Sequence, residues 1–246
     1  MAGPLEILAR LRKAYGELDW WPVDADYHRE NGTDPRFEII AGAILTQNTT
    51  WTSVETALGN LKARKLLSEK AIAKAEIGTI REAVRPAGFY NQKAGYLQTL
   101  AKYLWTTYEG RLDQFFRLKT ARLREILLSF NGIGEETADD ILVYAAKRPV
   151  FIVDAYTRRI THRLGWVKGN ETYAEMAALW GKRLGDDPKT FAQAHALLVQ
   201  HAKRRCTAKA PLCLGCPVEP VCKRVDVKAT VYLRQSESTG VAKPPR

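Results

Sequence analysis

Apolar positions recur at helical spacing along nearly the whole chain. Near the amino end Leu5, Leu8, Leu11 and Tyr15 alternate with Glu6, Arg10, Arg12 and Lys13, which predicts an amphipathic helix and not the continuous apolar stretch of a signal peptide. Asp34 followed by Pro35 makes a cap and first-turn pair, opening an apolar helix that runs from Phe37 to Leu45. Helical-period patterns follow over residues 52–63, 68–84, 93–107, 111–118 and 120–129, with Leu97, Leu100, Ala101 and Leu104 marking the spacing in the third. Asn131-Gly132-Ile133-Gly134 separates 120–129 from a further helix at 135–147 and places two glycines where the backbone needs positive φ. Strand signals are scarce: Pro149 to Val153 is a short β-branched run that reads as an extended link. Periodicity ends after Glu219, and Gln235 to Arg246 has the composition of a disordered tail. The pattern predicts an all-α protein.

Composition adds size and charge to this picture. The 246 residues are 46% hydrophobic, enough to bury one good core or two modest ones. Lys and Arg number 38 against 27 Asp and Glu, for a net charge of +11. Such an excess favours a nucleic acid or an anionic membrane surface as partner, since each phosphate neutralised releases counterions. It equally suits a soluble basic protein with no polyanionic partner. No apolar run reaches the length that spans a bilayer.

The four cysteines lie within one short stretch, Cys206-x6-Cys213-x2-Cys216-x5-Cys222. Thiols packed this closely, with none elsewhere, describe a metal centre rather than a disulfide framework. Both a structural zinc site and an iron–sulfur cluster take such donors. Lys203, Arg204, Arg205, Lys209, Lys223 and Arg224 surround them against a lone Glu219, so the metal-held loop suits placement against a polyanion. Reduced, metal-binding cysteines point to the cytoplasm or nucleoid as compartment.

Two further segments carry chemistry. Main-chain N–H groups at Gly132 and Gly134 and at the start of the following helix, Glu135-Glu136-Thr137-Ala138, would point outward together and grip a phosphate without reading sequence. An ordinary helix–helix turn uses glycines in the same way. Some twenty residues on, Val150-Phe151-Ile152-Val153 ends in Asp154, followed by the helical Ala155-Tyr156-Thr157-Arg158-Arg159-Ile160. Asp154 sits where an N-cap belongs, and capping is its default role. The helix dipole also holds a carboxylate there ionised, which suits stabilising an oxocarbenium-like transition state or orienting an attacking water.

Taken in order, the hairpin, the Val153-Asp154-Ala155-Tyr156-Thr157-Arg158-Arg159 segment and the cysteine loop resemble the helix-hairpin-helix DNA glycosylases of the endonuclease III superfamily, over roughly residues 15–225. The resemblance implies a two-domain, all-α helix-hairpin-helix fold: a six-helix domain at 40–148 with the hairpin at 120–147, and a discontinuous iron–sulfur cluster domain from 1–39 plus 149–225, with a flexible tail at 226–246. It implies a [4Fe–4S] cluster on Cys206, Cys213, Cys216 and Cys222, double-stranded DNA with a damaged base as partner, a monomer as the working form, and Asp154 as the catalytic residue. DNA would lie across the groove between the two parts, contacted by Gly132, Ile133, Gly134 and Lys209.

Bifunctional members of the family carry a lysine two residues after the second hairpin glycine, whose amine forms a Schiff base. Here that position is Glu136, and a carboxylate forms no imine, so the chain is expected to hydrolyse without nicking. Ala43-Ile44-Leu45-Thr46-Gln47-Asn48-Thr49 is similar to the segment whose glutamine enters the DNA helix, which makes Gln47 the plug. Gly88-Phe89-Tyr90-Asn91-Gln92-Lys93-Ala94 is similar to the loop supplying the intercalating side chain, which makes Phe89 the wedge. Together with Trp20-Trp21-Pro22, these segments look like the 3-methyladenine glycosylase branch, in which Trp20, Trp21, Pro22, Trp51 and Glu136 would line the base pocket. A methylated purine is cationic and its glycosidic bond is already weakened, so electron-rich rings serve it better than a strong leaving-group acid. Two alternatives stand beside this reading: an endonuclease III-like glycosylase and lyase for oxidised pyrimidines, and a non-catalytic damage binder. His28, His162, His195 and His201 are dispersed; His195 and His201, on a helix just before Cys206, read as packing or surface residues, and Asp24, Asp26, His28 and Glu30 as a solvated acidic turn rather than a metal site.

Overall fold

The computed structural model describes residues 2–228; the tail expected at Gln235 to Arg246 lies outside them. Contacts divide the chain into two units. One holds the residues up to Trp20 together with those from Pro149 onward, and the other spans Trp21–Arg148. No strand occurs among the described residues, and residues 150–154 form neither helix nor strand, with Asp154 extended. No helix among them is long and apolar enough to cross a membrane.

In chain order the first helix is α1 (Pro4–Tyr15), whose Ile7, Leu8 and Leu11 are buried. The second unit then contributes α2 (Ala25–Asn31), α3 (Pro35–Leu45), α4 (Trp51–Ala63), α5 (Glu69–Lys74), α6 (Ile77–Val84), α7 (Tyr90–Tyr108), α8 (Leu112–Phe116), α9 (Thr120–Leu128) and α10 (Glu135–Asp140). The chain returns to the first unit with α11 (Ala155–Leu164), α12 (Tyr173–Gly181) and α13 (Pro188–Arg204).

Helix α3 begins where the Asp34-Pro35 pair predicts, with the Asp34 carboxylate accepting from the Arg36 N–H. Every residue from Phe37 to Leu45 is buried, so α3 is the central post of its unit, packed by α4, α7 and α10. Glu38 lies inside this post and is matched there. His28 Nε2 and the Asp24 N–H each lie 3.0 Å from its carboxylate, and Lys62 Nζ lies at 3.1 Å. The Asp24 to Glu30 stretch, expected as a solvated turn, is therefore helix α2, capped by Asp24 and anchored by a buried His28. Residues 21–39, grouped by sequence with the cluster domain, belong to the second unit.

Two expected helices differ in detail. The 68–84 pattern is broken: Ala75 turns extended (ψ 149°) and α6 restarts at Ile77, so that both short helices lie along α7. The 135–147 helix loosens into a π-helical segment at Ile141–Ala145, wholly buried and packed on α3. In the first unit, α1 and α11 both pack on α13. Phe151 stacks face to face on Trp180 at 5.3 Å, and the Trp180 indole N–H donates to Thr161 Oγ1 at 2.9 Å.

Candidate functional site

The hairpin between α9 and α10 is built on one strained glycine rather than two. Gly132 has φ +81°, whereas Gly134, the N-cap of α10, has an ordinary φ of −87°. A Cβ at Gly132 would penetrate the ring of Tyr96 from α7, while one at Gly134 would meet nothing within 4 Å. Ile133 is buried and pins the turn, leaving Gly134, Glu135 and Glu136 exposed. No side chain caps α10 at Gly134.

Gln47 and Phe89 lie near this hairpin in the same unit. The Gln47 amide donates to the Gly132 carbonyl at 2.8 Å and to Thr137 Oγ1 at 3.1 Å, tying the loop after α3 to the turn. Phe89 is 63% exposed and left-handed (φ 44°, ψ 32°), an unfavourable conformation for an aromatic residue. With Asn48, Gln92, Lys93 and Tyr96, these two line a recess of about 230 Å³. Tyr96 is a member of this recess that the sequence did not single out, and Thr137 is buried.

Of the expected pocket aromatics, Trp21 and Trp51 meet edge to face at 5.3 Å, and Trp21 also meets Tyr144 at 5.5 Å. Gly42 on α3 makes room for the Trp21 indole, since a Cβ there would lie 2.8 Å from its Cζ2. Pro22 and Trp51 share a second recess, of about 330 Å³, with Asp24, Glu38, Glu55 and Lys62. Trp20 is half-buried in the other unit, and Glu136 is exposed on α10.

Asp154 caps α11, with Oδ1 accepting from the Thr157 N–H at 2.6 Å. Its carboxylate is buried, and Oδ2 lies 3.6 Å from His195 Nε2. Burial opposes ionisation, but the adjacent His195 and the Thr157 N–H outweigh it, so the carboxyl stays below its ordinary range. His195 is therefore more than a packing residue. It is eleven positions from the first cysteine, and nothing in the sequence joins it to Asp154.

The four cysteines all line one cavity of the first unit, together with Arg163, Arg205 and Arg224. Arg163 Nη1 donates to the Cys206 carbonyl and to Cys206 Sγ, both at 3.3 Å, and Arg159 Nε donates to the same carbonyl at 2.8 Å. Helix α11, which Asp154 opens, is thus latched to the cysteine loop. Burial raises the thiols of Cys213, Cys216 and Cys222, Cys216 to about 11, and the neighbouring cysteines raise them further. Among the described residues no three His, Cys, Asp or Glu side chains close on one ion. Four cysteines lining one cavity, with guanidinium groups at its wall, form a donor set suited to an anionic metal–thiolate centre. Lys209 is exposed on this loop.

Residues 41–184 match the model of the HhH-GPD superfamily of base excision DNA repair proteins. The chain belongs to that superfamily. A protein of Methanocaldococcus jannaschii provisionally named a DNA repair glycosylase is 41% identical over 85% of this chain and 90% of its own length. An endonuclease III of Sulfolobus acidocaldarius is 29% identical over 76% and 81%. Among solved structures, the H. pylori 3-methyladenine DNA glycosylase bound to 1,N6-ethenoadenine superposes with a TM-score of 0.66 at 28% identity, covering 82% of this chain and 98% of that one. An endonuclease III trapped as a covalent DNA intermediate has the same fold, with a TM-score of 0.73 at 21% identity over 91% and 97%. Membership of the HhH-GPD superfamily makes this chain a DNA glycosylase of base excision repair, with the all-α fold of that group.

Proposed function

We propose that this HhH-GPD protein removes an alkylated purine from double-stranded DNA by hydrolysis and leaves the strand unbroken. The observation that carries the reading is Glu136, an exposed carboxylate in the first turn of α10 where a strand-nicking relative would need an amine. Without that amine, bond cleavage falls to water and to a charge that stabilises the developing oxocarbenium ion, the role assigned to Asp154. Its low pKa keeps it anionic throughout the neutral range. The half-buried ring of Trp51, held edge to face by the buried Trp21, supplies electron-rich surface for a cationic base, in keeping with the likeness to the H. pylori 3-methyladenine enzyme.

DNA is gripped through the N–H groups at Gly134 and the start of α10, with Gln47 as plug and Phe89 as wedge when the damaged base leaves the stack. Cys206, Cys213, Cys216 and Cys222 would hold a [4Fe–4S] cluster, which supplies a rigid scaffold for the Lys209 loop and the Arg163 latch onto α11. A panel of duplexes with single defined lesions tests the reading, scored for free base and for strand breaks before and after alkali. Release of a methylated purine, with breaks only after alkali, is expected. Breaks before alkali, with a borohydride-trapped covalent complex, would show a lyase; binding without base release would show a damage sensor.

A further inference from the structure

We propose that Lys93 is a positioning residue for base extrusion, clamping the turn that carries Phe89 and joining it to the loop that carries Gln47. The inference rests on reading those two side chains as the wedge and plug. Lys93 lies in the first turn of α7 and is 2% exposed. Its Nζ donates to two carbonyls at 2.8 Å each: that of Leu45, two residues before Gln47, and that of Ala87, two residues before Phe89. Its main-chain N–H donates to the Phe89 carbonyl at 3.0 Å. One residue therefore holds both sides of the Ala87-Gly88-Phe89 turn, where Gly88 and Phe89 have φ of 68° and 44°.

Strain of this kind persists only where the surroundings enforce it. The exposed Phe89 ring has little packing of its own to do so, which leaves the backbone clamp. Packing alone does not account for an amine here, because methionine would fill similar space without the desolvation that lowers this lysine to about 8. What the amine adds is a fixed spacing between two loops that share one recess.

The test is a double-mutant cycle read by stopped-flow fluorescence of 2-aminopurine beside a defined lesion, with wild type, Phe89→Ala, Lys93→Met and the double variant, each checked for helical content and duplex affinity. If Lys93 acts through Phe89, each single change slows extrusion about tenfold and the double is slower than Phe89→Ala by less than about twofold. Fully multiplied losses, or normal extrusion by Lys93→Met beside a defective Phe89→Ala, overturn the proposal alone. Normal extrusion by Phe89→Ala removes the wedge reading and the proposal with it. Lys93→Gln, which keeps an N–H donor group on a shorter, uncharged side chain, runs the same cycle should Lys93→Met fail to fold, and an intermediate rate is then expected.

Discussion

Alanine at the two hairpin glycines should produce opposite phenotypes. At Gly132 the new side chain must take φ +81°, at a cost of about 1–2 kcal/mol for a residue with a Cβ. It must also displace the Tyr96 ring from contact with the turn, an overpacking cost of about 1–3 kcal/mol. The sum, about 2–5 kcal/mol, is a large share of a typical domain's stability. At Gly134 the backbone is already extended and the added methyl meets no protein atom, so stability should stay within about 1 kcal/mol of wild type. That methyl would instead stand where a phosphate approaches, weakening duplex binding about tenfold and equally for damaged and undamaged DNA. Urea unfolding and fluorescence anisotropy of labelled duplex measure the two effects. Adding Tyr96→Ala to Gly132→Ala should recover the overpacking part of the loss. A stable Gly132→Ala, or a Gly134→Ala protein that binds duplex normally, would refute this division of labour.

Trp51→Ala should lower methylated-purine release at least tenfold with little change in duplex affinity, and Gly42→Ala should lower it by pushing the Trp21 ring off α3; unchanged single-turnover rates would remove these rings from the pocket. Glu69 is a stability probe, because burial raises its carboxyl to about 7 from an ordinary value near 4.5. Between those values the folded state binds more protons than the unfolded one, so this group's contribution to stability falls as pH rises through that window. Glu69→Gln should abolish that loss, a gain over wild type at pH 8 of no more than about 3 kcal/mol by urea unfolding, and an unchanged difference between pH 5 and pH 8 would contradict it. Protein purified under anaerobic conditions should be yellow-brown with about four irons per chain, and a colourless protein with one zinc would reassign the cysteines.

Much of the fold was legible because its signals are local. Asp34-Pro35 states a helix start in two residues, and Asp154 before Ala155 states another; both carboxylates cap as expected. The Ala75 break and the π segment at Ile141–Ala145 were not legible, since no glycine or proline marks either and packing against α7 and α3 determines them. Gly134 was assigned a conformational need that it does not have. Its openness matters instead, a property of space rather than of sequence. Lys93 did leave a trace: it stands four residues before Leu97 and seven before Leu100, on the buried stripe of α7, where a lysine needs a reason. His195 left none, because only the folded chain brings α13 beside the start of α11.

The role of Asp154 is the point on which the mechanism turns, and Asp154→Asn isolates it. Asparagine caps a helix about as well as aspartate, so α11 should survive while the negative charge is lost. Single-turnover release from a methylated-purine duplex should fall about 100-fold or more, with duplex affinity within about twofold of wild type. Release at the wild-type rate would contradict the account.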